Sequence, residues 1–201
     1  MQKQTTESPN HQSFTTDIQT SDDAVGLPSP QWFIAVVRSN TERRAADFLS
    51  SLGYDVYVAS QPRLRILPSG RKKIVEKVII NGKIFINCSE AERRKVVGLP
   101  YIRRFLTDPA GAPQFGHRPI AVLPQSEIDK LRFMLGQSDI PVDMIEGNFN
   151  IKDKVKIIRG SLKGLEGEVI ESTDGSNQIV IALDLLGYAR ISISSSDLQK
   201  L

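Results

Sequence analysis

Two textures of apolar residues follow one another along this chain. From Trp32 to Gly136, short apolar runs alternate with stretches of helical spacing; from Ile151 onward only short strands recur. Trp32-Phe-Ile-Ala-Val-Val37 is a continuous apolar run of strand length, as expected of a strand covered on both faces. Ser39-x-x-Glu42 has the spacing of a capping box, and Ala45, Phe48, Leu49 and Leu52 follow on one helical stripe, with Gly53 where a C′ glycine belongs. Tyr54 to Val58 alternates as a strand. Residues 61–73 read as a loop, with turn chemistry at Pro68-Ser-Gly70. Ile74 to Ile80 and Ile84-Phe-Ile86 are strands separated by an Asn81-Gly82 turn. Ser89-x-x-Glu92 opens a second helix that should end at Gly98, and Tyr101 to Leu106 reads as a strand closed by Thr107-Asp-Pro-Ala-Gly111. A third helix starts near Pro124, carries Ile128, Leu131, Met134 and Leu135 on its stripe, and stops at Gly136.

This order predicts an α+β sandwich over residues 30–136 and a linker over 137–149, where periodic apolar positions are few. Over 150–201, strands at Val155–Ile157, Gly167–Ile170, Ile179–Leu183 and Ala189–Ile193 are separated by glycine-bearing turns at 160–164, 174–175 and 187, which describes a small β-barrel. Residues 1–29 are rich in Gln, Thr, Ser, Asn and Asp and predict a disordered tail, since they cannot bury enough apolar surface to offset chain entropy.

Composition changes this picture little, and the distribution of charge changes it more. Of 201 residues, 40% are hydrophobic and 24% charged, an ordinary globular balance. The formal net charge is +3, but residues 1–29 set Lys3 against Glu7, Asp17, Asp22 and Asp23, a balance of −3, so the rest carries +6. A basic body favours anionic partners, nucleic acid included. The single cysteine, Cys88, excludes an intramolecular disulfide and fits a reducing cytoplasm. No apolar run approaches the roughly 20 residues of a membrane span, and no secretory leader opens the chain. His11 and His117 stand apart with no metal-ligand spacing, no Walker ending follows Gly160–Gly167, and no carboxylate pair stands out. The expectation is a cytoplasmic, monomeric protein without cofactor, metal or catalytic residues.

The chain resembles the NusG family of transcription factors, which join an NGN domain to a KOW domain. The opening strand with Glu42, the stretch Leu99-Pro-Tyr-Ile-Arg-Arg-Phe-Leu106, and Pro119-Ile followed by Ser126-Glu-Ile128 resemble the NGN part. Val155-Lys-Ile157 with Gly160-Ser-Leu-Lys-Gly-Leu-Glu-Gly-Glu-Val169 is similar to the KOW pattern, whose glycines permit positive φ in a tight turn. The resemblance implies an NGN domain, an antiparallel sheet with flanking helices, followed by a small SH3-like KOW β-barrel. Housekeeping members carry Pro-Gly-Tyr where this chain has Asn81-Gly-Lys83, and a Phe-Gly-Arg stretch where it has Leu186-Gly-Tyr-Ala-Arg190. These departures look more like the specialised UpxY-like and LoaP-like antiterminators of long operons, such as those for surface polysaccharides.

By the resemblance, Phe33, Gly82, Lys83 and Phe85 would face RNA polymerase, although Phe33 and Phe85, each taken alone, read more readily as core, and the turn positions 82 and 83 are the better interface candidates. Arg63, Arg65, Arg71, Lys72, Lys73 and Lys77, set against Glu76 alone, would contact nascent RNA or non-template DNA through phosphates. A solvated charged hairpin is the plain alternative. Arg103-Arg104 is a lesser candidate, and Arg93-Arg-Lys95 reads as an exposed helix face. Leu162, Leu165 and Leu186 would present an apolar patch to a partner such as a ribosomal protein or Rho, or would fold inward. Two rivals remain: a general elongation and termination factor of the same family, and a ribosome-associated KOW protein that binds RNA.

Overall fold

The structure is a computed structural model that describes residues 29–113, 115–145, 151–170, 178–183 and 185–201. The tail expected over 1–29 lies outside the described residues except for Ser29, as do the turn at 174–175 and positions 146–149 of the expected linker.

The chain runs β1 (Gln31–Val36), α1 (Glu42–Ser51), β2 (Asp55–Tyr57), β3 (Ser60–Ile66), β4 (Lys72–Val78), β5 (Lys83–Cys88), α2 (Glu90–Val96), β6 (Arg104–Phe105), β7 (Val122–Leu123), α3 (Gln125–Gln137), β8 (Asp143–Ile145), β9 (Ile151–Ile157), β10 (Glu166–Ile170), β11 (Gln178–Leu183), β12 (Gly187–Ser192) and β13 (Leu198–Lys200). A first sheet has the order β2-β5-β1-β6, with β7 also on β1. Its central pair is antiparallel, Phe33 facing Ile86 and Ala35 facing Ile84.

The alternation of β1 explains why it is apolar throughout. Phe33, Ala35 and Val37 pack with Ala45 and Leu49 of α1 and Val96 of α2. Trp32 and Ile34 point the other way, under Ile128, Leu131, Met134 and Leu135 of α3. Successive side chains of a strand leave by opposite faces, so helices on both sides demand this continuous run. The Trp32 indole N–H donates to Gln125 Oε1 at 2.6 Å, and the Arg132 guanidinium lies 5.1 Å from the ring centroids of both Trp32 and Tyr57. This packing accounts for the α+β sandwich expected over 30–136.

Three local expectations change. Ser39 and Glu42 form no capping box: α1 begins at Glu42 with Thr41 as N-cap, and the Glu42 carboxylate is spent elsewhere. The Ser89–Glu92 box does form, with both reciprocal bonds present. Residues 61–73 are a hairpin rather than a loop, β3 pairing antiparallel with β4 from Ser60↔Val78 to Ile66↔Lys72. Gly136 lies inside α3, which runs to Gln137.

The second sheet has the order β13-β9-β10-β11-β12-β8. All its pairings are antiparallel, and among the described residues its edge strands β13 and β8 do not pair with each other, so the sheet is open rather than a closed barrel. A side chain at Gly167 would place its Cβ 2.6 Å from Ile179 Cγ2 and 2.9 Å from the Val180 carbonyl oxygen, so only glycine fits where β10 crosses β11. One apolar cluster runs from Trp32, Phe85 and α3 through Val142 to Val155, Ile157, Ile181 and Ile191 of this sheet.

Candidate functional site

The basic stretch of the sequence is the β3–β4 ribbon. Directly paired residues share a face, so Gln61, Arg63 and Arg65 stand with Lys77, Val75 and Lys73, while Pro62, Leu64 and Ile66 stand with Glu76, Ile74 and Lys72. The turn is held by Leu67 N–H donating to Arg71 O at 2.9 Å and Gly70 N–H donating to Leu67 O at 2.8 Å. Arg65, Arg71, Lys72, Lys73 and Lys77 are exposed. Leu64, Ile66 and Ile74 are 62%, 65% and 71% exposed, so the second face is apolar and open.

Arg63 is placed differently from its neighbours. Its Nη2 donates to the Val142 carbonyl at 2.7 Å, and Asp143 Oδ1 lies 3.4 Å away. Gln61, only 2% exposed, anchors the same segment: its amide donates to the carbonyls of Ser138 and Ile140, both at 2.9 Å, and its Oε1 accepts from the Val142 N–H at 3.1 Å. Residues 138–143, assigned to a linker by sequence, form a strap fixed to the base of the hairpin. The strap continues into β8, where Asp143 pairs with Arg190 and Ile145 with Tyr188. Asp139 and Ile140 also border a cavity of about 160 Å³ against Arg159, Gly160 and Leu162.

The second candidate surface is the turn between β4 and β5. The Gly82 N–H donates to Glu42 Oε1 at 2.6 Å, and the Val37 N–H donates to Gly82 O at 2.9 Å. Glu42 is 2% exposed, so this backbone bond is what satisfies a buried carboxylate oxygen. Gly82 has φ +69°, a conformation a side chain resists. Lys83 is half-buried beside it, paired with Val36. Phe33 (1% exposed) and Phe85 (0%) lie in the core on opposite faces of the sheet, so of the four residues expected to face polymerase the structure brings only Gly82 and Lys83 to the surface. A cleft of about 540 Å³ joins this turn to the hairpin, lined among others by Asn40, Arg43, Arg44, Glu76, Lys77 and Asn81. Arg43 reaches Glu76 at 3.6 Å there.

The lesser basic clusters separate. Arg93 makes two bonds to Glu90, at 2.6 and 2.7 Å, and lies 5.2 Å over the Phe105 ring, so it is a packing residue. The Arg93 hydrogen bond holds the Glu90 carboxyl down to about 2. Arg103 and Arg104 are exposed. In the C-terminal sheet, Leu162 is buried at 3%, while Leu165 and Leu186 are half-buried and pack against the main cluster. Among the described residues no group of three His, Cys, Asp or Glu could hold a metal, and no helix is long and apolar enough to cross a membrane.

Sequence reasoning missed Gln61, Asp143 and Arg43. A lone glutamine in a basic stretch carries no signal of burial, and Asp143 acquires meaning only when the strap folds back beside Arg63.

Comparison with known proteins decides the family. A sequence model described as "Transcription termination factor nusG" matches residues 30–132, just over half of the chain. The chain belongs to the NusG family. The NusG match ends within α3 and spans the first sheet, the hairpin and the Gly82 turn. NusG proteins are transcription factors, not enzymes. No curated protein sequence is significantly similar to the chain. Solved structures that resemble it include "Domain interaction in Thermotoga maritima NusG", with 16% identity over 86% of this chain and 97% of that one and a TM-score of 0.47. Another is "Crystal Structure of MjSpt4:Spt5 complex conformation A", with 15% identity over 85% of this chain and 97% of that one and a TM-score of 0.29. These are likenesses only; membership rests on the match over 30–132.

Proposed function

We propose that this NusG-family protein is a cytoplasmic elongation factor that binds RNA polymerase through its first unit and suppresses pausing or termination on a long operon. The observation that carries the reading is that both candidate surfaces, the Gly82–Lys83 turn and the basic hairpin, fall inside the matched residues 30–132, with Asn81 before the turn and Glu76 and Lys77 of the hairpin lining one cleft. A polymerase gripped at the turn would hold the hairpin beside its nucleic acid, where Arg65, Arg71, Lys72 and Lys73 can meet phosphates without reading sequence. Selective binding to the elongating state shifts the equilibrium away from the paused state, and no covalent step is needed.

The specialised reading draws support from the turn. Lys83 brings a cation where housekeeping members carry an aromatic, which adds an electrostatic component to the contact. The open C-terminal sheet would act as the KOW unit, with its partner (nascent RNA, a ribosomal protein or Rho) meeting the 160–165 turn or the Leu186 turn. Multi-round transcription through an intrinsic terminator tests the function: added protein should raise read-through. Unchanged or reduced read-through would favour a general termination factor.

A further inference from the structure

Asp143 stands where a ligand of the hairpin would stand. Its Oδ1 lies between two cations, 3.4 Å from Arg63 Nη2 and 3.8 Å from Lys77 Nζ. Both distances are long beside the roughly 2.7–2.9 Å of a tight charge-assisted bond, so the carboxylate is held loosely. The cations are arranged without it. Arg63 is oriented by its 2.7 Å bond to the Val142 carbonyl, and Val142 is itself fixed by Gln61. Gln61 and Lys77 face each other across the ribbon, which sets Lys77 diagonally beside Arg63 on one face. The guanidinium keeps spare donor capacity: among the described residues its Nε–H is buried without an acceptor.

We propose that Arg63 and Lys77 form a phosphate subsite of the hairpin, which Asp143 occupies in the free protein and which a phosphodiester backbone enters by displacing that carboxylate. A phosphate oxygen can take the position of Oδ1 between the same two donors. The proposal rests on the nucleic-acid reading of the hairpin and adds a regulated step to it. Asp143 also pairs with Arg190 in the β8–β12 ladder, so displacement reaches the strap and the edge of the C-terminal sheet. By linkage, whatever holds Asp143 in place weakens nucleic-acid binding by the same factor, and the converse holds.

The test uses the full-length protein and a fluorescein-labelled 20-nucleotide single-stranded DNA, followed by anisotropy at low and moderate salt. Asp143→Asn keeps the side-chain shape and removes the competitor. Two loose pairs, one part-buried at Arg63 and one exposed at Lys77, correspond to an affinity gain of about three- to tenfold at low salt, shrinking as salt screens them. Glu76→Gln, which removes an equal charge from the opposite face, should change affinity less than about twofold, and the Asp143→Asn gain should vanish in an Arg63→Gln background. Hydrogen exchange of residues 138–143 in the wild type should quicken when DNA saturates it. Equal gains from Asp143→Asn and Glu76→Gln, or a gain that survives Arg63→Gln, would reduce the effect to general charge and overturn the subsite. If Arg71, Lys72 and Lys73→Glu weakens binding while Asp143→Asn changes nothing, the hairpin binds nucleic acid but the subsite is refuted. No binding by any variant would refute both.

Discussion

Replacing Gln61 by Leu isolates the strap. The substitution nearly keeps volume and removes three hydrogen bonds, two donated to the carbonyls of Ser138 and Ile140 and one accepted from the Val142 N–H. The three losses are unequal. Ser138 is half-buried and Ile140 exposed, so their carbonyls can turn to water, whereas Val142 is fully buried. A net bond contributes about 1 kcal/mol and an orphaned buried donor costs about 1–3 kcal/mol, which together give a loss of roughly 2–4 kcal/mol concentrated at Val142. At 1.4 kcal/mol per tenfold, the protection of the Val142 amide against hydrogen exchange should fall by about 30- to 700-fold. Exchange measured residue by residue on wild type and variant, with amides of β1 and β5 as internal controls, reads this directly. A change below about threefold at Val142, with the controls unmoved, would show that Gln61 does not hold the strap.

Three other outcomes follow from the same geometry. Gly82→Ala should cost about 1–2 kcal/mol in a denaturant titration, because φ +69° is strained for a side chain while its nearest neighbours, Ser39 Oγ and the Val37 carbonyl at 3.5 Å, are ordinary contacts. Cys88, 2% exposed, has its thiol pushed up to about 11 by burial and then by Glu92; it should resist thiol reagents at pH 8 until the protein unfolds, and because the folded state keeps a proton the unfolded state loses near 9.0, its contribution to stability should be full below that pH and lost as pH rises toward 11. Charge reversal at Arg71, Lys72 and Lys73 should weaken binding to a polymerase elongation complex most strongly at low salt and flatten its salt dependence by about three phosphate contacts, a slope readable from titrations at several salt concentrations.

The first unit was legible because its packing is written in local periodicity. The run Trp32–Val37 announces two covered faces, and Ala45 with Leu49 and Ile128 with Leu131 announce the helices that cover them. Ser89 and Glu92 cap α2 as their spacing foretold. What escaped depends on contacts far apart in sequence. Pro62-Arg-Leu-Arg-Ile66 alternates as a strand should, but its apolar side faces outward, so burial could not be used to recognise it. Glu42 has the spacing of a cap yet satisfies Gly82, 40 positions away, a choice visible only once β5 lies beside β1. At the candidate surfaces, sequence supplied the cations, the Gly82 turn and the core reading of Phe33 and Phe85, whereas the choice of the inward position for Leu162 and the strap on Gln61 and Arg63 required the tertiary structure.

The central claim is that this NusG-family chain acts by holding RNA polymerase through its first unit, with the Gly82–Lys83 turn at the contact. Immobilised full-length protein challenged with purified host polymerase core, beside Lys83→Glu, tests it most directly. Lys83→Glu leaves the Glu42–Gly82 bond intact, since that bond uses the Gly82 backbone. The account predicts that the wild type retains polymerase and that Lys83→Glu loses most of that retention while keeping its fold. Failure of the wild type to retain polymerase, or equal retention by both proteins, would contradict it: the first outcome would remove the polymerase from the mechanism, and the second would move the contact away from this turn.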